Sequence, residues 1–83
     1  MDIYRELREI FCDVFDRDEI ELTPSTTADD IEGWDSLAHL RIMMSVERAF
    51  QVRFSAAEVA ALRNVGDLAE MIAVRLSGIA ATA

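Results

Sequence analysis

Apolar residues recur at helical spacing near the start of the chain, with charged residues between them. The pattern predicts a helix over residues 2–16, whose apolar positions are Ile3, Tyr4, Leu7, Ile10, Phe11, Val14 and Phe15. Spacings of three and four residues place these side chains on one face of an amphipathic helix. One face of this helix must therefore pack against the rest of the chain.

The helical period disappears over residues 17–35, where Thr23-Pro24-Ser25 and Asp29-Asp30 are typical of a loop with one short turn near residues 27–31. Connections longer than about 12–15 residues are uncommon in compact domains and tend to be functional. We therefore expect this segment to be held down by its apolar residues, which are Ile20, Leu22, Ile31 and Trp34.

A second helix, predicted over residues 36–51, carries two apolar stripes. One stripe holds Ile42, Met43, Val46 and Phe50 together with His39, and the other holds Leu37, Leu40 and Met44, flanked by Arg41, Glu47 and Arg48. A helix in a small bundle needs only one stripe to close its core. The second stripe is either a docking surface for a partner or a face that the bundle also buries, and the pattern leaves both interpretations open.

The remainder of the chain predicts two further helices. Ser55 and Glu58 form a capping-box pattern that starts a short helix over residues 55–62, with Val59 and Leu62 facing inward. A last helix is expected over residues 66–77, followed by a tail of small residues at 78–83. No β-type alternation is present, so the predicted fold is all-α: a single domain, residues 1–83, with three main helices and one short one.

Composition narrows the function classes. The chain has 83 residues, with 16 acidic and eight basic residues and a net charge of −8. So short a chain forms one modest core without a deep catalytic cavity, which argues against an enzyme. The negative charge disfavours binding to nucleic acid or to anionic membrane surfaces. Twelve of the acids lie in residues 1–35, as either a solvated face or a partner-docking surface.

Cysteine and histidine usage limits the chemistry further. The single Cys12 excludes an internal disulfide, and with His39 as the only histidine no metal centre is predicted. No apolar run approaches the roughly 20 residues that span a bilayer, and the N-terminus lacks a signal-peptide pattern. We therefore expect a cytoplasmic protein.

Ser36 is the candidate for modification. It follows Gly33-Trp34-Asp35 at the predicted start of the second helix, where unpaired amides and the helix dipole stabilise an attached phosphate. The alternative is that Asp35 or Ser36 only caps the helix. A hydrolytic triad of Asp35, Ser36 and His39 is rejected because the chain has neither a nucleophile elbow nor room for a substrate pocket, so no catalytic residue is predicted.

The sequence Gly33-Trp34-Asp35-Ser36-Leu37 resembles the D-S-L attachment motif of acyl carrier proteins. The similarity continues through Val46-Glu47 and Phe50 into Val52-Arg53-Phe54, and Asn64-Val65-Gly66-Asp67-Leu68 is similar to the family's T-V-G-D-L segment. Together with the length, the acidity and the long first loop, the resemblance covers essentially the whole chain.

The resemblance implies that a phosphopantetheinyl transferase moves 4′-phosphopantetheine from coenzyme A onto Ser36, with Asp35 presenting the hydroxyl. Cargo then rides as a thioester on the arm, so Cys12 is not the carrier thiol. It also implies a non-enzymatic monomer that serves acyl-activating, ketosynthase-like or acyltransferase enzymes. The partner surface would comprise Leu37, Leu40, Arg41, Met44, Glu47 and Arg48. The acyl chain would be sheltered by Val46, Phe54, Val59 and Leu62, which are equally interpretable as plain core.

The sequence departs from the family pattern early in the second helix. Carriers of bacterial fatty acid synthesis usually have acidic residues there, whereas this chain has Ala38, His39 and Arg41. A partner built for an acidic helix would meet Arg41 at some cost, so a specialised carrier in a fatty-acid or polyketide-like pathway is preferred. An aminoacyl or hydroxyacyl carrier and an unmodified acidic helical adaptor remain alternatives. The Met1 start and short tail suggest a free-standing protein.

Overall fold

The computed structural model describes the backbone of residues 2–82 and the side chains of residues 2–77. Within this range the chain forms α1 (Ile3–Phe15), α2 (Ser36–Phe50), α3 (Ala56–Ala60) and α4 (Val65–Thr82), with a 3₁₀ turn at Ala28–Asp30 in the first loop. The predicted all-α fold with four helices is confirmed. No helix among these residues combines the length and the apolar character needed to cross a bilayer.

The helix ends follow from side-chain and backbone capping. Asp2 caps α1 by accepting a hydrogen bond from the Arg5 amide at 3.2 Å, and Ser55 and Glu58 form the predicted capping box of α3. Both α1 and α2 end at a residue in the left-handed conformation, Asp16 (φ 53°) and Gln51 (φ 55°) respectively. Such a residue turns the chain out of the helix while its amide still bonds to a helical carbonyl.

The core lies between α1, α2 and α4, and the first loop closes one side of it. Three predicted loop anchors, Ile20, Leu22 and Ile31, are buried and Trp34 is half-buried. From the helices, the fully enclosed side chains are Leu7, Phe11, Ile42, Val46, Val65, Leu68 and Ile72. The long loop is thus part of the core, as its apolar residues predicted.

Two backbone hydrogen bonds fasten the first loop to the beginning of α4. The Gly66 amide donates to the Pro24 carbonyl at 2.8 Å, and the Val65 amide donates to the Thr26 carbonyl at 2.8 Å. Thr26 is buried, and its hydroxyl accepts from the Thr23 amide at 2.9 Å. We call these two bonds the loop clamp. They satisfy α4 amides that have no partner within the helix.

Two helix ends differ from the predictions. α4 was expected to end at residue 77 with a tail at 78–83, but it continues to Thr82, while Ala83 lies outside the described residues. One glycine costs a helix only about 1 kcal/mol relative to alanine, and the alanines that follow are the best helix formers. α3 ends at Ala60 rather than at residue 62, because Asn64 must leave the helical path to cap α4.

The loop clamp predicts a specific sensitivity at Gly66. A Cβ atom there would lie 2.7 Å from the Pro24 carbonyl oxygen, so alanine must push the loop away or break the clamp. We expect Gly66→Ala to lower the free energy of unfolding by about 1–3 kcal/mol, measured as a lower urea midpoint. The exposed Ser77→Ala on the same helix is the control. Equal midpoints for Gly66→Ala and the wild type would contradict the role of the clamp.

Candidate functional site

The segment that leads into α2 is a tight turn built around Gly33. Gly33 has φ +90°, a conformation that side-chain-bearing residues rarely adopt. The Trp34 amide donates to the Ile31 carbonyl at 3.3 Å, and the Asp35 amide donates to the Gly33 carbonyl at 2.9 Å. The turn therefore delivers Ser36 to the first position of α2 along a defined backbone path.

Trp34 fixes this turn against the helices. Its ring meets Phe11 of α1 edge-on, with centroids 5.1 Å apart, and lies 6.4 Å from the ring of Phe15. On the α2 side the indole N–H donates to His39 Nδ1 at 3.2 Å, and the two rings are nearly parallel. His39 is half-buried, and this bond gives it a hydrogen-bond partner. Sequence reasoning did not pair the two residues.

Asp35, rather than Ser36, caps α2. Its Oδ1 atom accepts from the Ala38 amide at 2.9 Å, while Ser36 is exposed and its hydroxyl forms no hydrogen bond within the described residues. The hydroxyl thus stands free at the positive end of the α2 dipole, where a phosphate ester is stabilised. An accessible hydroxyl in this position fits the attachment of a phosphate-linked group.

A cavity of about 470 Å³ lies beside Ser36. The 3₁₀ turn, the start of α2 and the connection from α3 to α4 contribute its walls, which consist of Ala28, Trp34, Asp35, Ser36, His39, Ala60, Leu62, Arg63, Asn64 and Leu68. Its volume falls within the range of about 300–1,000 Å³ that is typical of small-molecule pockets. Because Ser36 lines this cavity, a group attached to its side chain can enter the cavity directly.

The second apolar stripe of α2 faces solvent. Leu37, Leu40 and Met44 are 65%, 55% and 56% exposed, and the flanking Arg41 and Arg48 are exposed as well. The interpretation in which the bundle buries both sides of α2 is therefore wrong. All five side chains fall within an arc of about 100° on the helical wheel, and we call this set the outer face of α2.

Glu47 stands at the border of the outer face and has a structural partner. Its Oε2 atom accepts from the Phe54 amide at 2.9 Å, and the residue is half-buried. Sequence reasoning missed this bond, although an acid in the last turn of a helix followed by an extended segment with free amides is a usable signal. The carboxylate holds residues 52–54 against α2.

The residues expected to shelter an acyl chain are not brought together at the cavity beside Ser36. Leu62 lines that cavity, whereas Val46, Phe54 and Val59 do not. Val46 is completely buried in the core, and the other three are half-buried against it. The plain-core interpretation therefore describes the position of Val46.

Ion pairs and caps order the far wall of the cavity. The Arg63 guanidinium lies 3.0 Å from Asp67, and this hydrogen bond holds the pKa of the Asp67 carboxyl below its usual value. Asn64 Oδ1 accepts from the Asp67 amide at 2.8 Å and so caps α4. In α3, the Glu58 carboxylate accepts a hydrogen bond from the Ser55 amide, and this bond is the main cause of its lowered pKa. Glu58 also forms an ion pair with Arg75 of α4.

Comparison with known proteins gives the family. The model of the family described as phosphopantetheine attachment site matches residues 5–72. Among solved structures, the chain is similar to the solution NMR structure of the holo acyl carrier protein from Geobacter metallireducens. The two are 42% identical, the match covers 93% of this chain and 88% of that one, and the TM-score is 0.85. No curated protein matches the sequence.

The geometry and the comparisons agree on the prosthetic group. The exposed hydroxyl at the start of α2 and the adjacent cavity accommodate a phosphate-linked arm, and the matched family is defined by such an attachment. The prosthetic group is covalently bound 4′-phosphopantetheine, and the chain belongs to the phosphopantetheine-binding carrier family, with the fold and role of an acyl carrier protein.

Proposed function

We propose that Ser36 carries the 4′-phosphopantetheine arm and that the chain presents acyl thioesters to enzymes of a specialised pathway. The observation that carries this proposal is the unpaired, exposed Ser36 hydroxyl at the end of a turn fixed by Gly33 and Trp34. The transferase forms a bond from Ser36 Oγ to the phosphorus of coenzyme A bearing the pantetheine. The phosphoanhydride bond breaks and 3′,5′-adenosine bisphosphate leaves, while the serine proton passes to a base of the transferase.

The charge on α2 supports a specialised partner. Arg41 and Arg48 are the ionisable residues of the outer face, and the Glu47 carboxylate at its border is half-buried and accepts from the Phe54 amide. Leu40 and Met44 lie to one side of the two arginines on the helical wheel and supply apolar contact area. This face suits an acyl-activating, ketosynthase-like or acyltransferase enzyme whose docking site presents carboxylates toward the two arginines. Such a partner fits a dedicated fatty-acid or polyketide-like pathway better than housekeeping synthesis.

Attachment at Ser36 is tested by intact mass. After incubation with coenzyme A and a broad-specificity phosphopantetheinyl transferase, we expect the wild type to gain roughly 340 Da, the mass of the arm. Ser36→Ala should gain nothing, while Ser45→Ala on the same helix should be modified like the wild type. A folded wild-type protein that gains no mass would instead support an unmodified helical adaptor.

Asp35 has two separable roles, capping α2 and presenting Ser36. Asp35→Ala should lower the free energy of unfolding by about 1 kcal/mol because the Ala38 amide loses its acceptor. Asp35→Asn retains an oxygen acceptor and should stay close to wild-type stability. If the carboxylate charge also matters to the transferase, Asp35→Asn is modified more slowly than the wild type at equal stability. Equal modification rates would limit Asp35 to capping.

Arg41→Glu tests the preference for a specialised partner. The change should lower kcat/KM with the enzyme that loads the arm in the native pathway by about two- to fivefold, a typical value for one exposed charge contact. It should improve use by a ketosynthase of fatty acid synthesis that has a basic docking patch. Arg5→Glu on α1 changes the net charge equally and serves as the control. An unchanged kcat/KM with both enzymes would contradict the inference drawn from the charges on α2.

A further inference from the structure

The hydrogen bond between Trp34 and His39 determines which imidazole nitrogen faces outward as a donor. Because His39 Nδ1 accepts the indole N–H at 3.2 Å, the neutral ring carries its proton on Nε2. Nε2 has no partner among the hydrogen bonds of the described residues, and every fully buried side-chain polar atom in that range has one. Nε2 is therefore accessible, on a residue that lines the cavity.

Asn64 supplies a second donor to the same cavity. Its Oδ1 atom is occupied as the acceptor for the Asp67 amide at 2.8 Å, so the Nδ2 group points away from that bond with two protons to donate. No acceptor within the described part of the chain takes either proton. His39 and Asn64, which have N–H donors without an acceptor among the described residues, therefore line the same cavity as the apolar side chains of Trp34, Leu62 and Leu68.

Apart from the α2 dipole, which stabilises the phosphate at Ser36, the side-chain charges around the cavity are unfavourable to an anion. The Arg63 guanidinium is already paired with Asp67, and the Asp35 carboxylate lines the cavity close to the attachment residue. The phosphate of the arm would add further negative charge at Ser36. A carboxylate on the cargo is repelled here. A fully saturated chain would displace water from both donors without offering an acceptor in its place, so the donors would lose their hydrogen bonds.

We propose that this cavity selects the cargo, sheltering uncharged acyl groups that bear a keto or hydroxyl oxygen in preference to saturated or carboxylate-bearing ones. The inference rests on the proposed attachment at Ser36, from which the arm folds back so that the acyl chain enters. The amide carbonyls of the arm offer the same acceptor chemistry. A test must therefore separate occupancy by the cargo from occupancy by the arm.

The chain has one tryptophan, so the indole N–H of Trp34 gives a single NMR signal from the cavity wall. The arm is loaded with hexanoyl, 3-oxohexanoyl or adipoyl groups by transfer from the corresponding acyl-coenzyme A, and the unacylated holo form is the reference. We expect the Trp34 signal to move with 3-oxohexanoyl cargo and to stay at its holo position with the other two. A ¹³C label at the keto carbon should show hydrogen bonding to the protein.

Asn64→Asp is the matched variant, because aspartate keeps a side-chain oxygen to cap α4 and has no side-chain donor. It should reduce the ratio of sheltered to free 3-oxohexanoyl cargo about fivefold, the value of one hydrogen bond, with a melting temperature close to wild type. Glu70→Gln, an exposed change on α4, should leave the ratio unchanged. Imidazole ¹⁵N shifts should show the His39 proton on Nε2.

Each contrary result has a distinct meaning. A Trp34 shift of the same size between the unmodified protein and the holo form would show that the arm fills the cavity, and an equal shift with hexanoyl cargo would show shelter without selection. Either result overturns the proposal. If Ser36 cannot be modified at all, the proposed function fails by itself, and 3-oxohexanoyl-pantetheine titrated against hexanoyl-pantetheine into the unmodified protein still tests the cavity. Equal responses there overturn the inference.

Discussion

The site depends on one packed side chain, Trp34. It contacts the aromatic residues of α1 on one side and bonds to His39 of α2 on the other, so it links the two helices that make the most extensive interhelical contact. The link also fixes Gly33 and Asp35, between which the chain turns toward Ser36. The serine itself has no side-chain bond among the described residues, and its position is set entirely by its neighbours. The proposed modification of Ser36 by another enzyme would benefit from such indirect placement.

The sequence predicted the elements whose signals are local. Helical periodicity located α1 and α2, the capping box at Ser55 located α3, and the apolar loop residues identified the segment that closes the core. The two stripes of α2 were visible on a helical wheel, but their exposure depends on what the other helices cover, so the structure was needed to decide between exposure and burial.

Two hydrogen bonds and the end of α4 were not predicted from the sequence. The hydrogen bonds join residues that only folding brings together, and the end of α4 depends on competing local preferences. The bond from Phe54 to Glu47 requires the chain to double back after α2. The Trp34–His39 bond depends on the rotation of α2 relative to the turn. α4 continues past Gly78 because the low helix propensity of one glycine is outweighed by the higher propensity of the alanines that follow. Treating the glycine as a helix-stop signal therefore predicted the wrong end.

The loop clamp also has a consequence for the order of events during protein synthesis. It joins Pro24 and Thr26 to Gly66 and Val65, residues about 40 positions apart, and contacts between distant positions form late because their loop-closure entropy must be overcome first. On a ribosome, the loop that precedes Ser36 emerges well before the helix that fastens it. The environment of Ser36 is therefore complete only after the beginning of α4 has left the exit tunnel, so a transferase that requires this shape acts only on chains from which α4 has already emerged.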